Sequence, residues 1–459
     1  MHTRLLILAA AWLAAPAWAS DPFMVMDRSL PGPPSPLRPA GVCGAEAVTG
    51  TLTLARAVER TLCANPATRS AWLTARLRAA ELGQAQSAYL PELTGNARLG
   101  RGGDALLPTD RTTWQLGLEA QYLLYDFGAR PARREAAEAL LAAARASHDA
   151  SVRTLYLQTV STYFSLATAQ GAVVAAREAE VAALEALKAA TARVEAGTGI
   201  PLDRLQARTA HAQRQIERVR AEGEAARLRG ELAALMGDVR QTGWVLAEDD
   251  AAFSQPLELD RAVEALIEAA RTRRPEFRAA EATVLAREAG VRSAEAAGKP
   301  RLSAFFASGR QQGALLANSS SVGVSLTIPL FTGYRNTYEI AAAGVQAELA
   351  RSERDRVANQ VALEVWRAYH RLRSETEADR RSDELVESAA AAARVALGRY
   401  QAGMGLLLDV TSAQANLAQA RQNQLQTRLA LRVARAELAQ ALGELSWEWM
   451  ESAQGESNR

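Results

Sequence analysis

An internal duplication is the feature of this sequence that most constrains its fold. Two prolines and one glycine motif of the first half recur in the second half, namely Pro66 as Pro275, Pro91 as Pro300 and 193–197 as 399–403. The offset is 209 residues for the prolines and 206 residues for the motif. Each copy carries alternating strand segments between long alanine-rich helices, so the fold must use strands and helices together.

The N-terminus has the pattern of a secretory signal. Residues 1–19 contain the basic Arg4, an apolar run and the small-residue pattern Ala17–Ala19 ahead of Ser20. We therefore predict a signal peptide over 1–19 and an exported mature chain. A Pro-rich segment over 20–50 is predicted to be an extended arm. No later stretch reaches the roughly 20 apolar residues that a membrane helix needs, so any membrane insertion would use strands.

The charge pattern and the histidines exclude several function classes. The 53 basic and 51 acidic residues are scattered along the chain, which argues against a nucleic-acid partner. The four histidines show no ligand spacing, so we predict neither a metal site nor a cofactor. No phosphate-binding loop or Ser/His/Asp arrangement is present, and we therefore expect that the protein is not an enzyme.

The chain contains two cysteines, Cys43 and Cys63, both near the N-terminus. An exported protein meets an oxidising compartment, where a pair of cysteines favours a disulfide. We predict a disulfide between them. A lipid anchor on Cys43 is the weaker alternative, because the predicted cleavage site lies more than twenty residues upstream.

Two segments alternate apolar and polar residues with the period of a β-strand, Thr113–Leu124 and Ser321–Leu330. Each follows a weaker strand, Leu93–Arg101 or Leu302–Gly309, so that two hairpins result. Their length and terminal aromatic residues suit transmembrane strands, although a soluble hairpin fits the pattern equally well. Four strands cannot close a barrel, so in a membrane several chains would have to pool their strands.

The remaining sequence is predominantly helical. We predict helices over Leu54–Tyr89 and Leu259–Lys299, and two long rods over Ala129–Ala196 and Ile340–Arg399. At 1.5 Å per residue, a rod of this size would be about 100 Å long. An apolar stripe predicts a coiled-coil packing seam along the first rod, through Leu155, Tyr163, Leu166, Val174, Val181 and Leu184.

Each rod ends at a short reversal, Gly197–Pro201 in the first copy and Gly403–Gly405 in the second. Glycine ends a helix and proline begins the next one, so each copy becomes a long helical hairpin. The predicted domains are a first repeat over 51–243, a linker over 244–256, a second repeat over 257–445 and a tail over 446–459.

Several motifs in this order resemble the TolC family of outer-membrane factors. They are Leu52–Val58 leading to Asn65 and Pro66, the strand-to-helix corners Leu124–Gly128 and Pro329–Gly333, and the two reversals. The resemblance spans about Thr51 to Leu445. Within the family, the segment Leu62–Trp72 resembles the CyaE type, which serves type I secretion of a large RTX toxin.

The resemblance implies an α+β membrane protein. Three chains would pool four strands each into one outer-membrane β-barrel, which continues into a periplasmic α-helical coiled-coil barrel. The implied partners are outer-membrane lipid, a periplasmic adaptor, an inner-membrane ABC transporter or other pump, and an exported protein substrate. Small-molecule or metal efflux uses the same duct and stays open as an alternative. A soluble periplasmic coiled-coil scaffold is a second alternative, which leaves the alternating strands unexplained.

The resemblance also implies roles for residues at the reversals. Adaptor docking would involve Arg193, Gly197, Leu202, Arg399, Gly403 and Leu408, and the channel aperture or gate would involve Asp203, Asp409 and Tyr400. Two positions depart from the family pattern, because Ser412 stands where a second ring carboxylate can occur and Gly405 where a bracing arginine can occur. On position alone, both aspartates could equally serve as helix N-terminal caps.

Overall fold

A computed structural model describes residues 21–26, 50–104, 107–237, 239–240, 242–247, 262–312 and 316–445. The predicted signal peptide, the C-terminal tail 446–459 and Cys43 lie outside these residues, as do most of the predicted arm and of the linker. The disulfide between Cys43 and Cys63 therefore stays a prediction.

The described elements follow the same order in both halves of the chain. The helices are α1 (Leu54–Ala64), α2 (Pro66–Ser87), α3 (Ala129–Glu195), α4 (Pro201–Leu235), α5 (Val263–Arg273), α6 (Pro275–Ala297), α7 (Arg335–Gln401) and α8 (Leu407–Ala441). The strands are β1 (Thr51–Leu52), β2 (Glu92–Asp104), β3 (Leu107–Tyr125), β4 (Val245–Leu246), β5 (Arg301–Gln312) and β6 (Leu316–Thr327). Helices α3 and α7 both have 67 residues, and α4 and α8 both have 35 residues. The two long predicted rods are thereby confirmed, although the second begins at Arg335 instead of Ile340.

Proline divides each of the shorter predicted helical stretches into two helices. Helix α1 ends at Ala64 and α2 begins at Pro66, with Asn65 in extended conformation at ψ 130°. The proline ring clashes with a helical conformation of the preceding residue, which explains the break. The Asn65 side chain then caps α2, since its Oδ1 accepts a hydrogen bond from the Ala67 N–H at 2.9 Å. Arg274 interrupts the second stretch in the same way, at ψ 125°.

The four long strands form one antiparallel sheet in the order β2-β3-β5-β6. All four predicted strands are confirmed, with corrected ends. Strand β3 extends beyond the predicted Thr113–Leu124. Strand β6 stops at Thr327 instead of Leu330, and Pro329, which lacks an N–H for the ladder, lies just beyond it. Strands β2 and β6 are the edges of the sheet within the chain.

The strand register gives the sheet one apolar face and one polar face. Leu118 pairs with Ser308, Ala120 with Phe306, and Phe306 with Val322. The apolar sheet face carries large side chains that are between 39% and 81% exposed in the single chain: Leu93, Leu99, Leu116, Leu118, Tyr122, Phe306, Val322, Val324 and Leu326. The polar sheet face carries mostly charged, amide and hydroxyl side chains, among them Thr94, Asn96, Arg98, Gln115, Glu119, Gln121, Ser303, Ser321 and Ser325.

Exposed aromatic residues follow the sheet where the strands lead into helices. The Tyr125 and Phe127 ring centroids are 4.8 Å apart, and those of Phe331 and Tyr334 are 5.7 Å apart, both in edge-on geometry. Phe127 and Tyr334 have φ values of 54° and 64°, in the left-handed region, which turns the chain sharply at both corners. We refer to these four residues as the corner aromatics.

The largest described core contains four buried aromatic residues, Tyr156, Tyr163, Phe164 and Trp244. A two-residue parallel pairing of β1 with β4 lies beside it, and the Tyr163 hydroxyl donates a hydrogen bond to the Leu52 carbonyl at 3.1 Å. Nothing in the sequence pattern predicts this pairing. The first residues of the predicted 244–256 linker therefore belong to a packed core.

Within the single chain, the predicted coiled-coil seam is buried for only part of its length. Leu155, Tyr163 and Leu166 are buried, whereas Val174 and Val181 are 56% and 59% exposed in the single chain. Farther along the same helix, Ala183, Ala186 and Ala190 are buried instead. Small residues allow neighbouring helices to approach closely, and a stripe of large apolar residues does not reveal such a contact.

The described residues form two compact units, and each unit draws on both halves of the chain. One contains the described parts of Met1–Gly32, Ala71–His148 and Glu276–Val357, and includes the four-stranded sheet. The other contains the described parts of Pro33–Ser70, Asp149–Pro275 and Ala358–Arg459, and includes both helical reversals. None of the helices in the described ranges combines the length and apolar character needed to cross a membrane.

Candidate functional site

The two helical reversals are built in the same way. Gly197 follows α3 at φ +69°, and the Thr198 N–H donates to the Arg193 carbonyl at 3.0 Å. Gly403 follows α7 at φ +78°, and the Met404 N–H donates to the Arg399 carbonyl at 2.9 Å. This is the left-handed helix ending that glycine adopts without steric strain. Both glycines thus serve as the helix stops that the sequence predicts.

A second glycine follows in each reversal where a side chain has little room. A Cβ atom on Gly199 would lie 3.0 Å from the Arg193 Cβ, and one on Gly405 would lie 3.2 Å from the Arg399 Cβ. Gly405 is the position at which the resembling family can carry a bracing arginine. That Cβ atom would also lie 3.2 Å from the Tyr400 backbone nitrogen, so an arginine there would need the backbone to shift by a few tenths of an ångström.

Tyr400 lies in a small core where four helices meet. It is 1% exposed and packs with Ala186 and Ala190 of α3, Ala207 of α4 and Leu407 of α8. The family resemblance implied a gate role for Tyr400, and its burial was not predicted. The ring lies between the two hairpins of the chain.

The Tyr400 hydroxyl points at Asp203 near the start of α4. It donates a hydrogen bond to Asp203 Oδ2 at 3.4 Å. Burial raises the pKa of Tyr400, and the nearby Asp203 carboxylate raises it further. The hydroxyl is therefore protonated at neutral pH and available as a donor.

The Arg193 side chain lies over the ring of Tyr400. Its guanidinium carbon lies 4.8 Å from the centroid of the Tyr400 ring, and its Nη1 donates to the Tyr400 carbonyl at 2.8 Å. A guanidinium above an aromatic face is attracted by the ring quadrupole. We refer to Arg193, Asp203 and Tyr400 as the tip latch, since together they join the first hairpin to the second. The resemblance assigned Arg193 to docking, and the structure adds a contact inside the chain.

The equivalent residues of the second hairpin are arranged differently. Arg399 Nη2 donates to the Met404 carbonyl at 3.4 Å, within its own reversal. Asp409 is exposed, and its Oδ2 accepts a hydrogen bond from the Leu406 N–H at 3.5 Å, so that it caps α8. The structure thus separates two aspartates that the sequence grouped together, because Asp203 joins the latch and Asp409 faces solvent.

Large apolar side chains project from both reversals. The predicted docking residues Leu202 and Leu408 are 55% and 63% exposed. Three further residues have exposures of 56%, 70% and 67%, namely Ile200, Met404 and Leu406. These three residues were not predicted from the sequence, although their position within Gly-rich reversals is itself a signal of exposure. We call these five residues the apolar tip surface.

Within the described ranges, no group of three or more His, Cys, Asp or Glu side chains is placed to hold a metal ion. The chemistry of the tip is therefore that of hydrogen bonds, one cation–π contact and exposed apolar surface. Such an arrangement can bind another protein and can hold two hairpins together.

Comparison with known proteins identifies the family. The model of the outer membrane efflux protein family matches residues 57–238 and 266–444, which include both hairpins and all four long strands. The chain belongs to this family. The resemblance to TolC-type channels is thereby confirmed, and the family places the protein in the outer membrane, with a large helical part in the periplasm, as a transport channel and not an enzyme.

The chain is also similar to individual known proteins. The chain is 31% identical over 404 residues to Protein CyaE of Bordetella pertussis, a match that covers 86% of this chain and 84% of CyaE. Among solved structures, the outer-membrane channel OprN superposes with a TM-score of 0.74 at 22% identity, over 91% of this chain and 100% of that one. The Campylobacter jejuni CmeC outer membrane channel gives a TM-score of 0.78 at 18% identity, over 88% of this chain and 89% of CmeC.

Proposed function

We propose that three copies of this chain form an outer-membrane exit duct for a type I secretion system. The observation that carries this proposal is the four-stranded sheet, which combines one apolar face with two edges that pair with no other described strand of the chain. The duct is passive, and an inner-membrane ABC transporter supplies the energy.

The number of copies follows from the sheet. Unpaired strand edges leave N–H and C=O groups without partners, which is costly in lipid, so the edges β2 and β6 must pair with other copies. Two copies would give an eight-stranded barrel, and side chains fill the interior of a barrel of that size. Three copies give twelve strands and an open lumen, in agreement with the trimer that the family resemblance implies.

The two sheet faces suit a barrel wall. The apolar sheet face would contact lipid, and the corner aromatics would lie at the membrane surface nearest the helices, where aromatic girdles are found. The polar sheet face would line the lumen. It carries charges of both signs, Arg98 and Glu119, together with many hydroxyl and amide groups, which suits a route for varied cargo.

The tip has two proposed roles. The apolar tip surface would dock a periplasmic adaptor, because exposed apolar groups at a reversal bind well when water is excluded from them. The tip latch would hold the hairpins in the closed arrangement until the adaptor or pump releases it. In a trimer, three Asp409 carboxylates would surround the aperture and concentrate negative potential there.

The cargo is proposed to be a protein. The support is the identity with CyaE along most of the chain, together with the helix start over Leu62–Trp72, which resembles the CyaE type of RTX toxin secretion. Small-molecule or metal efflux is the alternative, because members of the same family are described as efflux proteins. A soluble scaffold, the other alternative, gives no reason for an exposed apolar sheet face.

A deletion strain separates the two cargo classes. We expect deletion of the gene to abolish secretion of a large RTX-type protein while sensitivity to drugs and metal salts is unchanged. Plasmid-borne wild-type protein should restore secretion. Continued secretion together with new drug or metal sensitivity would overturn the protein cargo and support efflux.

A further inference from the structure

A patch of four polar residues interrupts the apolar sheet face on strands β5 and β6. The register pairs Ser308 with Ser320 and Arg310 with Asn318, and all four residues point to the apolar side. On the neighbouring strand β3, Ser308 pairs with Leu118 and Arg310 pairs with Leu116. The patch is therefore local to one side of the sheet.

Arg310 is the charged member of this patch. Its side chain is exposed, and within the described part of the chain it has no hydrogen-bond or ion-pair partner. The face carries one other basic residue among the described side chains, Arg101, which lies closer to the hairpin loops. No described acidic side chain lies on this face, so its charge is entirely positive and is confined to the loop end.

The height of Arg310 on the sheet can be estimated from the register. Eight residues along β5 separate it from Leu302, which pairs with the corner aromatic Tyr125. Eight residues extend about 27 Å along a strand, or about 20 Å of height at the usual tilt of barrel strands. The apolar band of such barrels is about 25 Å tall. Arg310 therefore lies near the membrane border opposite the corner aromatics.

We propose that Arg310, with Asn318, Ser308 and Ser320, binds the phosphate of a phosphorylated glycolipid headgroup in the outer leaflet. The proposal rests on the proposed placement of the sheet in the membrane. A guanidinium donates paired hydrogen bonds to phosphate oxygens, and the amide and hydroxyl groups supply further donors. An arginine on a lipid-facing surface is tolerated near the interface, where such an anion is available.

Arg98 offers a matched control for this site. It is an exposed arginine on strand β2. Its neighbour Ala97 pairs with Leu116, and Leu116 pairs with Arg310. Arg98 therefore lies one residue along the strand from the level of Arg310. The alternation of the strand places Arg98 on the polar sheet face. The variants Arg310→Gln and Arg98→Gln thus remove the same charge at nearly the same height from opposite faces.

The test titrates bisphosphorylated lipid A into the detergent-purified wild-type protein, Arg310→Gln, Arg310→Lys and Arg98→Gln, with native mass spectrometry as the readout. We expect Arg310→Gln to lower the affinity about tenfold, as the loss of a charge-assisted contact predicts. Arg310→Lys, which keeps the charge but loses the paired hydrogen bonds, should bind between wild type and Arg310→Gln, and Arg98→Gln should match wild type. Inorganic phosphate should not compete at equal phosphate concentration, since the acyl chains hold the headgroup at the site.

Other results would overturn the proposal. Equal lipid A binding by wild type and Arg310→Gln would contradict it, as would an equal loss in Arg98→Gln. Competition by inorganic phosphate would show a site for free anions instead. If the wild-type protein from outer membrane is not a trimer, the proposed duct fails together with this site, whereas a trimer without lipid A selectivity removes only the site.

Discussion

The Tyr400 hydroxyl donates a hydrogen bond to the Asp203 carboxylate across 3.4 Å and so joins the two helical hairpins. The two residues are 197 positions apart in the sequence. The Arg193 guanidinium carbon lies over the face of the same ring, 4.8 Å from its centroid. One buried tyrosine therefore links both reversals of the chain. If the tip opens during transport, this contact must break.

Removal of the Tyr400 hydroxyl should loosen the tip. Tyr400→Phe keeps the buried ring and loses one hydrogen bond, worth about 1 kcal/mol, which corresponds to a roughly fivefold shift toward the open state. Asp203→Asn should shift the equilibrium in the same direction. The open probability of single channels in planar bilayers measures the effect, with the exposed Tyr338→Phe as control. Unchanged open probability in both tip variants would exclude a latch role.

The same tyrosine predicts a response to alkaline pH. Burial and the neighbouring Asp203 carboxylate raise the pKa of Tyr400 in the closed state above its ordinary value of about 10. The stabilisation from this group is therefore complete below about pH 10 and is lost as the pH rises through the raised pKa. Open probability should stay constant between about pH 6 and 9 and increase above pH 10. Tyr400→Phe should lack this increase, and a step of equal size in that variant would assign it to another group.

The two glycines near the end of α7 should respond oppositely to alanine. Gly403 has φ +78°, where a Cβ atom adds strain of about 1–2 kcal/mol. Gly398 lies inside α7, and a methyl group added there would meet no atom within 4 Å, so alanine should stabilise the helix by about 1 kcal/mol. Thermal unfolding followed by circular dichroism should show Gly403→Ala melting below wild type and Gly398→Ala melting at or above it. Equal melting temperatures would contradict the role given to the left-handed backbone.

A charge on the apolar tip surface should prevent adaptor docking. Leu408 is 63% exposed beside the second reversal, and Leu408→Asp would place a carboxylate where the proposed interface excludes water. We expect the affinity for the cognate adaptor to fall at least tenfold, measured by biolayer interferometry. Gln422→Asp adds the same charge at an exposed position farther along α8 and should bind as wild type does. Normal adaptor binding by Leu408→Asp would place the docking surface elsewhere.

Asp409 should govern ion selectivity at the aperture. Its carboxylate is exposed at the start of α8, and a trimer would bring three copies around the channel axis. Asp409→Asn should lower the preference for K⁺ over Cl⁻ and weaken block by divalent cations, as measured from reversal potentials in a KCl gradient. Ser412→Asp, which adds a second carboxylate per chain, should strengthen both properties. If Asp409→Asn keeps the wild-type reversal potential, Asp409 is a helix cap and does not line the aperture.

Periodicity predicted the elements of this fold, and proline and glycine predicted where they end. The alternation between Thr113 and Leu124 indicated strand β3 and its apolar side, because one face of a strand shares a single environment. The long helices followed from stretches almost free of proline and glycine. Pro66 and Pro275, which revealed the duplication, also mark two helix breaks. The extended conformation of the residue before each proline was not predicted.

Contacts between distant segments could not be predicted from the sequence. The β1–β4 pairing involves two residues on each side, too few for any periodic signal. The burial of Tyr400 and its contacts with Arg193 and Asp203 depend on how two hairpins pack. Val174 and Val181 belong to the predicted stripe but are exposed in the single chain, while Ala183, Ala186 and Ala190 farther along the helix are buried. A local pattern shows which face of an element is apolar, but it does not show which other element packs against that face.

The most direct test of the proposed exit duct is the oligomeric state of the protein in its own membrane. Native mass spectrometry of protein extracted by detergent from purified outer membrane should show three copies of the mature chain, as pooled strand edges require. A monomer in that extract, or protein recovered only from the soluble periplasm, would contradict the exit duct.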